Sequence, residues 1–117
     1  ITYIVNSLRA KKKIKINYPY QKIDFLHVKD LILAINKILK QKVPRGFNNF
    51  KLCFGELINI KQMCKILCST LSFDSSKIKF SKKINQQNIY NIKHHKKFKI
   101  KFNWKPKIDL QHGVKDY

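Results

Sequence analysis

Apolar and polar positions change period several times along these 117 residues. Over residues 1–11, Ile1, Ile4, Val5 and Leu8 recur at helical spacing and predict the end of a helix. Residues 13–17 alternate lysine with isoleucine and predict a strand, and residues 17–21 read as a turn around Pro19. A second strand is predicted at 24–28, running directly into a helix over 29–41. The stripe Leu31, Ile32, Ile35, Ile38 and Leu39 should turn that helix toward a core. Asp30 falls in its first turn, where a negative charge suits the helix dipole.

The second half carries the same alternation of short strand and helix. Residues 43–49 read as a loop, residues 50–54 as a third strand, and Gly55 with Glu56 as its turn. Asn59 followed by Gln62 has the spacing of a capping box. The helix it opens, 59–71, should bury Ile60, Met63, Cys64, Leu67, Cys68 and Leu71. We expect it to pack on the helix 29–41 through Ile35, Ile38, Met63 and Leu67. Residues 77–80 form a fourth strand, Pro106 a turn, and Asp109 opens a short last helix. The order α-β-β-α-β-α-β-α, without an internal repeat, places the chain in the α/β class as one domain.

Charge changes the picture. There are 26 basic residues against 6 acidic, for a net charge of +20. That balance fits a partner made of nucleic acid or another polyanion. It also fits plain compositional drift, because lysine, isoleucine and asparagine make up 51 of the 117 residues. Between Asp74 and Asp109 there is no acidic residue, while eleven lysines gather around Phe80, Tyr90, Phe98, Phe102 and Trp104. Such aromatics could serve as stacking platforms for a single strand, or simply fill a core. No nucleic-acid motif accompanies them, so only weak, non-specific binding of nucleic acid is expected. No window is long and apolar enough to span a membrane. Three cysteines without a framework suit a reducing cytoplasm. The first residue is Ile1 rather than methionine, and the chain reads as a piece of something longer.

Candidate chemistry is thin. Tyr18 and Lys22 stand at the Tyr-x-x-x-Lys spacing of a dehydrogenase acid–base pair, but Pro19 between them prevents the shared helical face. Cys64 and Cys68, with His94 and His95, could be drawn together as a zinc site. Their spacing matches no common zinc pattern, and both cysteines fall on an apolar stripe. No glycine-rich phosphate loop occurs; there are three glycines in all.

Four stretches, in order, carry a resemblance. Residues 21–31, Gln-Lys-Ile-Asp-Phe-Leu-His-Val-Lys-Asp-Leu, resemble the segment built around Arg-Asp-Phe in the extended short-chain dehydrogenases, the NAD-dependent epimerase/dehydratase family acting on nucleotide sugars. Residues 47–67 look like that family's Gly-x-Gly-Glu strand and helix, and residues 102–116 like its closing Gly-Trp-x-Pro segment. Residues 1–16 are similar to the helix and strand that precede the Arg-Asp-Phe motif. The resemblance is to the family's C-terminal portion, and it points toward the reductases and synthases of surface-polysaccharide pathways. It implies an α/β fold of mixed short strands and helices, the C-terminal fragment of a Rossmann-type extended short-chain dehydrogenase. Residues 1–117 would be a single partial domain: the substrate-binding lobe plus late Rossmann elements.

What the resemblance implies for function follows residue by residue. The family's diphosphate-facing arginine aligns with Ile23, which cannot make a charge-assisted bond. Lys22 beside it is the one candidate substrate-binding residue, although strand alternation turns it the other way. Cys53 stands at the first glycine of Gly-x-Gly, and Asn103 at the glycine before the tryptophan, a mild change because asparagine tolerates left-handed geometry. His94 replaces an aspartate, and over 98–102 the family's helix is expected despite a strand-like alternation. NAD or NADP is the implied cofactor, bound by a missing N-terminal half that also holds the catalytic tyrosine and lysine. Neither a cofactor-binding nor a catalytic residue is assigned within this chain, and no metal ligand. The expectations are a truncated nucleotide-sugar epimerase, dehydratase or reductase, inactive alone and cytoplasmic; a basic module for polyanions; or a decayed reading frame.

Overall fold

The computed structural model describes residues 1–41, 45–82 and 95–117, with His95 described by its backbone alone. Helix α1 (Thr2–Arg9) buries Ile4, Val5 and Leu8 as its period requires. Strand β1 (Ile14–Ile16) follows, then β2 (Lys22–Asp24) and helix α2 (Val28–Lys40). Strand β3 (Leu57–Asn59) leads straight into α3 (Ile60–Leu71). A 3-10 turn at Ser75–Lys77 precedes β4 (Ile78–Phe80), and two short helices, α4 (His95–Lys101) and α5 (Leu110–Val114), close the chain.

The strands form two separate pairs. β1 runs parallel to β4, with Ile14 opposite Ile78 and Ile16 opposite Phe80. β2 runs antiparallel to β3, with Lys22 opposite Asn59 and Asp24 opposite Leu57. Two-stranded ladders are marginal by themselves, so helices must carry them. α3 does this for the first region. Its N-terminus is held by the capping box, Asn59 accepting from the Gln62 amide at 2.8 Å and Gln62 from the Asn59 amide at 3.0 Å. Its Met63, Cys64, Leu67 and Cys68 meet Ile4, Val5, Leu8, Ile14, Ile78 and Val114 in one core. A second core gathers Ala34 of α2 with Phe98, Phe102 and Trp104, flanked by Leu26, Ile38, Phe50 and Leu52. Its rings are stacked or edge-on, with centroids 4.5–5.7 Å apart. The molecule is drawn out, 52 × 31 × 18 Å, with a radius of gyration of 16.9 Å. A closed domain of this size would have roughly 13 Å.

Several expectations need correction. The strand expected at 24–28 lies at 22–24, because His27 caps α2 and brings the helix start forward to Val28. Residues 50–54 join no ladder among the described residues; the strand that pairs with β2 lies at 57–59, just past the turn expected at Gly55 and Glu56. The expected packing of α2 on α3 is not found. Met63 and Leu67 belong to the first core and Ile38 to the edge of the second, while Ile35 is 43% exposed. Ile32 and Leu39 of the same stripe also face solvent. The family's helix at the end of the chain does form, over His95–Lys101. The expected loop at 43–49 is described only from residue 45, which begins an irregular stretch.

Candidate functional site

β2 and the loop after it hold the residues that the family resemblance singled out. Lys22 is exposed, at the start of β2 opposite Asn59, and Ile23 beside it is half-buried. Asp24 turns inward. Its two carboxylate oxygens accept from the amides of Phe54 and Gly55, each at 2.7 Å. Gly55 has a φ of 102°, a conformation in which a side chain would be strained. The Asp24 carboxylate thereby fixes the turn that follows residues 50–54. Lys99 of α4 closes the same turn, donating to the Phe54 carbonyl at 2.9 Å. Cys53, at the family's glycine position, lies partly buried here. Its thiol is pushed up by burial first and by the neighbouring Asp24 charge second, with Lys99 opposing, so it stays a neutral thiol.

The second aspartate of the motif does a matching job. Asp30 is 1% exposed, and one of its oxygens accepts from the amides of Lys107 and Ile108, both at 2.9 Å. Besides standing in the first turn of α2, it thereby clamps the loop between Trp104 and α5. Asn103, with φ 42°, adopts the left-handed geometry anticipated for that position. Lys37 of α2 donates to the carbonyls of Phe102 and Asn103 at 3.3 and 2.7 Å, capping α4. At the other end of α2, the His27 ring accepts from the Lys29 amide and lies over Gly113. A Cβ on Gly113 would stand 2.6 Å from the ring, so only glycine fits. Lys29 holds Asp116 at 2.8 Å, and this bond keeps the Asp116 carboxyl below its ordinary value.

Two concavities adjoin these elements. One, of about 410 Å³, is mostly apolar and is lined by Phe25, His27, Ile108, Leu110 and Tyr117, with Asp116 at its rim. The other, of about 700 Å³, is basic and is lined by Lys37, Lys40, Lys105 and Lys107 beside Trp104. Lys22 lines neither.

The remaining sequence candidates are resolved by burial. Phe98, Phe102 and Trp104 are 1%, 1% and 5% exposed, so they are core and not stacking platforms. Phe80 is half-buried beneath Lys61, and Tyr90 lies outside the described residues. Cys64 and Cys68 sit in the first core, where burial raises the Cys64 thiol to about 11. His94 and the side chain of His95 lie outside the described residues. Among the described residues, no cluster of three or more histidine, cysteine or acidic side chains could hold a metal.

The three glycines are placed differently from those of a dinucleotide site. Such a site needs a glycine turn whose free amides meet a pyrophosphate at a helix N-terminus. Gly46 lies in an open loop, the Gly55 amide is already bound by Asp24, and Gly113 is packed under His27. The two aspartate clamps escaped the sequence reading because their partners lie 30 to 78 residues away. The available signal was the placement of two of only six acids in one apolar motif.

No family model matches the chain. Among curated proteins it is 24% identical to CDP-abequose synthase of Salmonella muenchen over 116 residues, 98% of this chain and 39% of that protein. Among solved structures, dTDP-glucose 4,6-dehydratase from Bacillus anthracis, in complex with NAD, superposes with a TM-score of 0.76 at 19% identity. That match covers 97% of this chain and 36% of the other. RMD from Pseudomonas aeruginosa, complexed with NADPH, gives 0.72 at 16% identity over 96% of this chain and 37% of its own. ADP-L-glycero-D-manno-heptose-6-epimerase of Helicobacter pylori gives 0.71 at 22%, over 98% and 34%. The chain therefore spans less than two fifths of the length of each protein it matches. It has the mixed α/β fold of part of a Rossmann-type short-chain dehydrogenase, and its homologues are of the nucleotide-sugar epimerase/dehydratase/reductase kind.

Proposed function

We propose that residues 1–117 are the substrate-binding part, with late Rossmann elements, of an NAD- or NADP-dependent nucleotide-sugar epimerase, dehydratase or reductase. One observation carries this reading: the match takes in 98% of this chain but 39% of CDP-abequose synthase. The dinucleotide and the acid–base residues then come from sequence beyond these 117, and the 117 residues by themselves turn over no substrate. Lys22 is the residue we assign to the substrate's diphosphate. It is exposed at the start of β2, where its ammonium can reach a phosphate oxygen that Ile23 cannot bind. A cytoplasmic location suits the three cysteines, all of them free thiols. No helix among the described residues is long and apolar enough to cross a membrane.

The test is a titration of the chain with a CDP-sugar and a dTDP-sugar, followed by amide chemical shifts, with inorganic pyrophosphate as control. We expect weak binding centred on Lys22 and its neighbours in β2, tighter for the nucleotide sugars than for pyrophosphate, and weakened several-fold by Lys22→Ala but not by Lys22→Arg. Shifts spread evenly over the lysines, or equal affinity for pyrophosphate, would reduce the site to general charge.

A further inference from the structure

The cleft between the C-terminal half of α2 and residues 103–107 has no part in the substrate contact assigned to Lys22. Its volume is about 700 Å³, and Lys37, Lys40, Lys105 and Lys107 line it from both walls. No acidic side chain lines it. Elsewhere lysines find partners: Lys29 holds Asp116, and Lys99 holds the Phe54 carbonyl. Lys40, Lys105 and Lys107 have none among the described residues.

The walls that carry these lysines are fixed. Asp30 clamps the amides of Lys107 and Ile108 at 2.9 Å. Trp104 and Pro106 turn inward along this segment, while Lys105 and Lys107 alternate outward. Lys37 donates to the Phe102 and Asn103 carbonyls, which uses two of its three donors and leaves one. The same two bonds cover the carbonyl end of α4, which would otherwise repel an anion. Charges mounted on a backbone already held in place lose little freedom when a ligand arrives. Trp104 forms part of the wall, and its indole N–H is buried without an acceptor among the described residues. Buried donors are nearly always bonded, and an oxygen entering from the cleft would supply the acceptor.

The chemistry selects the occupant. A lysine ammonium is a point charge suited to phosphate. A short phosphate chain brings several charges into one small volume, opposite the unpaired ammoniums of Lys40, Lys105 and Lys107. An acidic peptide spreads its charges along its length. A single-stranded nucleic acid needs exposed rings for its bases, and Trp104 is only 5% exposed. We propose that this cleft is a second anion site, taking a triphosphate or another short oligophosphate and separate from the diphosphate contact of Lys22.

Trp104 is the single tryptophan of the chain, so its fluorescence reports on the cleft directly. The experiment titrates the chain with inorganic tripolyphosphate at physiological salt, following Trp104 fluorescence and amide shifts. We expect a saturable change at submillimolar concentration, with shifts confined to residues 36–41 and 103–107 and none at Lys22. Lys105→Ala with Lys107→Ala should weaken binding at least tenfold. Lys12→Ala with Lys13→Ala, which removes the same two charges between α1 and β1, should weaken it less than twofold. Lys40→Ala, on the opposite wall, should weaken it several-fold by itself. Melting curves check that each variant is folded. Equal losses in the two double variants would reduce the cleft to general charge and overturn the proposal. So would the absence of a saturable change at physiological salt, or a single-stranded oligonucleotide or an oligoglutamate peptide binding the cleft more tightly than tripolyphosphate. The Lys22 titration with nucleotide sugars is read at other amides, so either site can fail without the other.

Discussion

The two cores are made of similar material and end in different states. In the first, α1, α3, β1, β4 and α5 surround Val5 and Leu67, both fully buried, and each element gives its apolar face to the same interior. In the second, Phe98, Phe102 and Trp104 are equally well buried, but the elements that bury them are only half used. α2 turns Ala34 inward and a whole apolar stripe outward, and residues 50–54 pair with no strand among the described residues. The difference teaches that a fold can be locally complete at one end and open at the other.

The comparison breaks most readily at its closed end. Leu67→Ala removes a fully buried side chain from the first core and should cost about 2–5 kcal/mol, unfolding that region in a denaturant titration. A loss below about 1 kcal/mol would mean that the first core is as loose as the second face of α2. Next comes the link between α2 and the final loop. Asp30→Ala leaves the Lys107 and Ile108 amides without their acceptor and should cost about 2–3 kcal/mol, with hydrogen exchange rising first around residues 104–110.

Alkaline pH sharpens the same contrast. Burial holds the Cys64 thiol near 11 against an ordinary 9.0, whereas unfolding exposes it to ionise at the lower value. The thiol's contribution is therefore fully present below pH 9 and is lost as pH rises toward 11. Melting curves of the native chain and of Cys64→Ala should diverge in that window and stay parallel below it. The smallest effect belongs to the open face. Ile35→Ser and Leu39→Ser should each change the stability of the chain by less than about 0.5 kcal/mol, because both side chains already face water. A cost near that of Leu67→Ala would show that the stripe is buried after all.

What was legible in the sequence was what is decided locally. The Asn59–Gln62 capping box, the stripe of α3 and the burial of Ile4, Val5 and Leu8 all depend on neighbours within a few residues. So does the left-handed turn at Asn103. Residues 50–54 misled because a strand exists only with a partner, and apolar alternation cannot say whether one is present. The α2 stripe misled similarly, since its periodicity is the same whether it faces a core, a partner or water. Asp24 and Asp30 act on backbone far along the chain, which no local pattern contains. Phe98 and Trp104 were read under two alternatives because charge around an aromatic does not reveal which way the ring points.

The central claim is that these residues bind the sugar-nucleotide side of a reaction whose dinucleotide is bound elsewhere, and NADH fluorescence tests it most directly. Titrating the purified chain with NADH, and in parallel with NADPH, should give no saturable change at micromolar concentrations. Gly46, Gly55 and Gly113 offer no turn for the pyrophosphate. Any loose attraction to the lysines should vanish as salt approaches physiological strength. Saturable, salt-resistant binding at micromolar NADH or NADPH would contradict the account and place a complete cofactor site within these 117 residues.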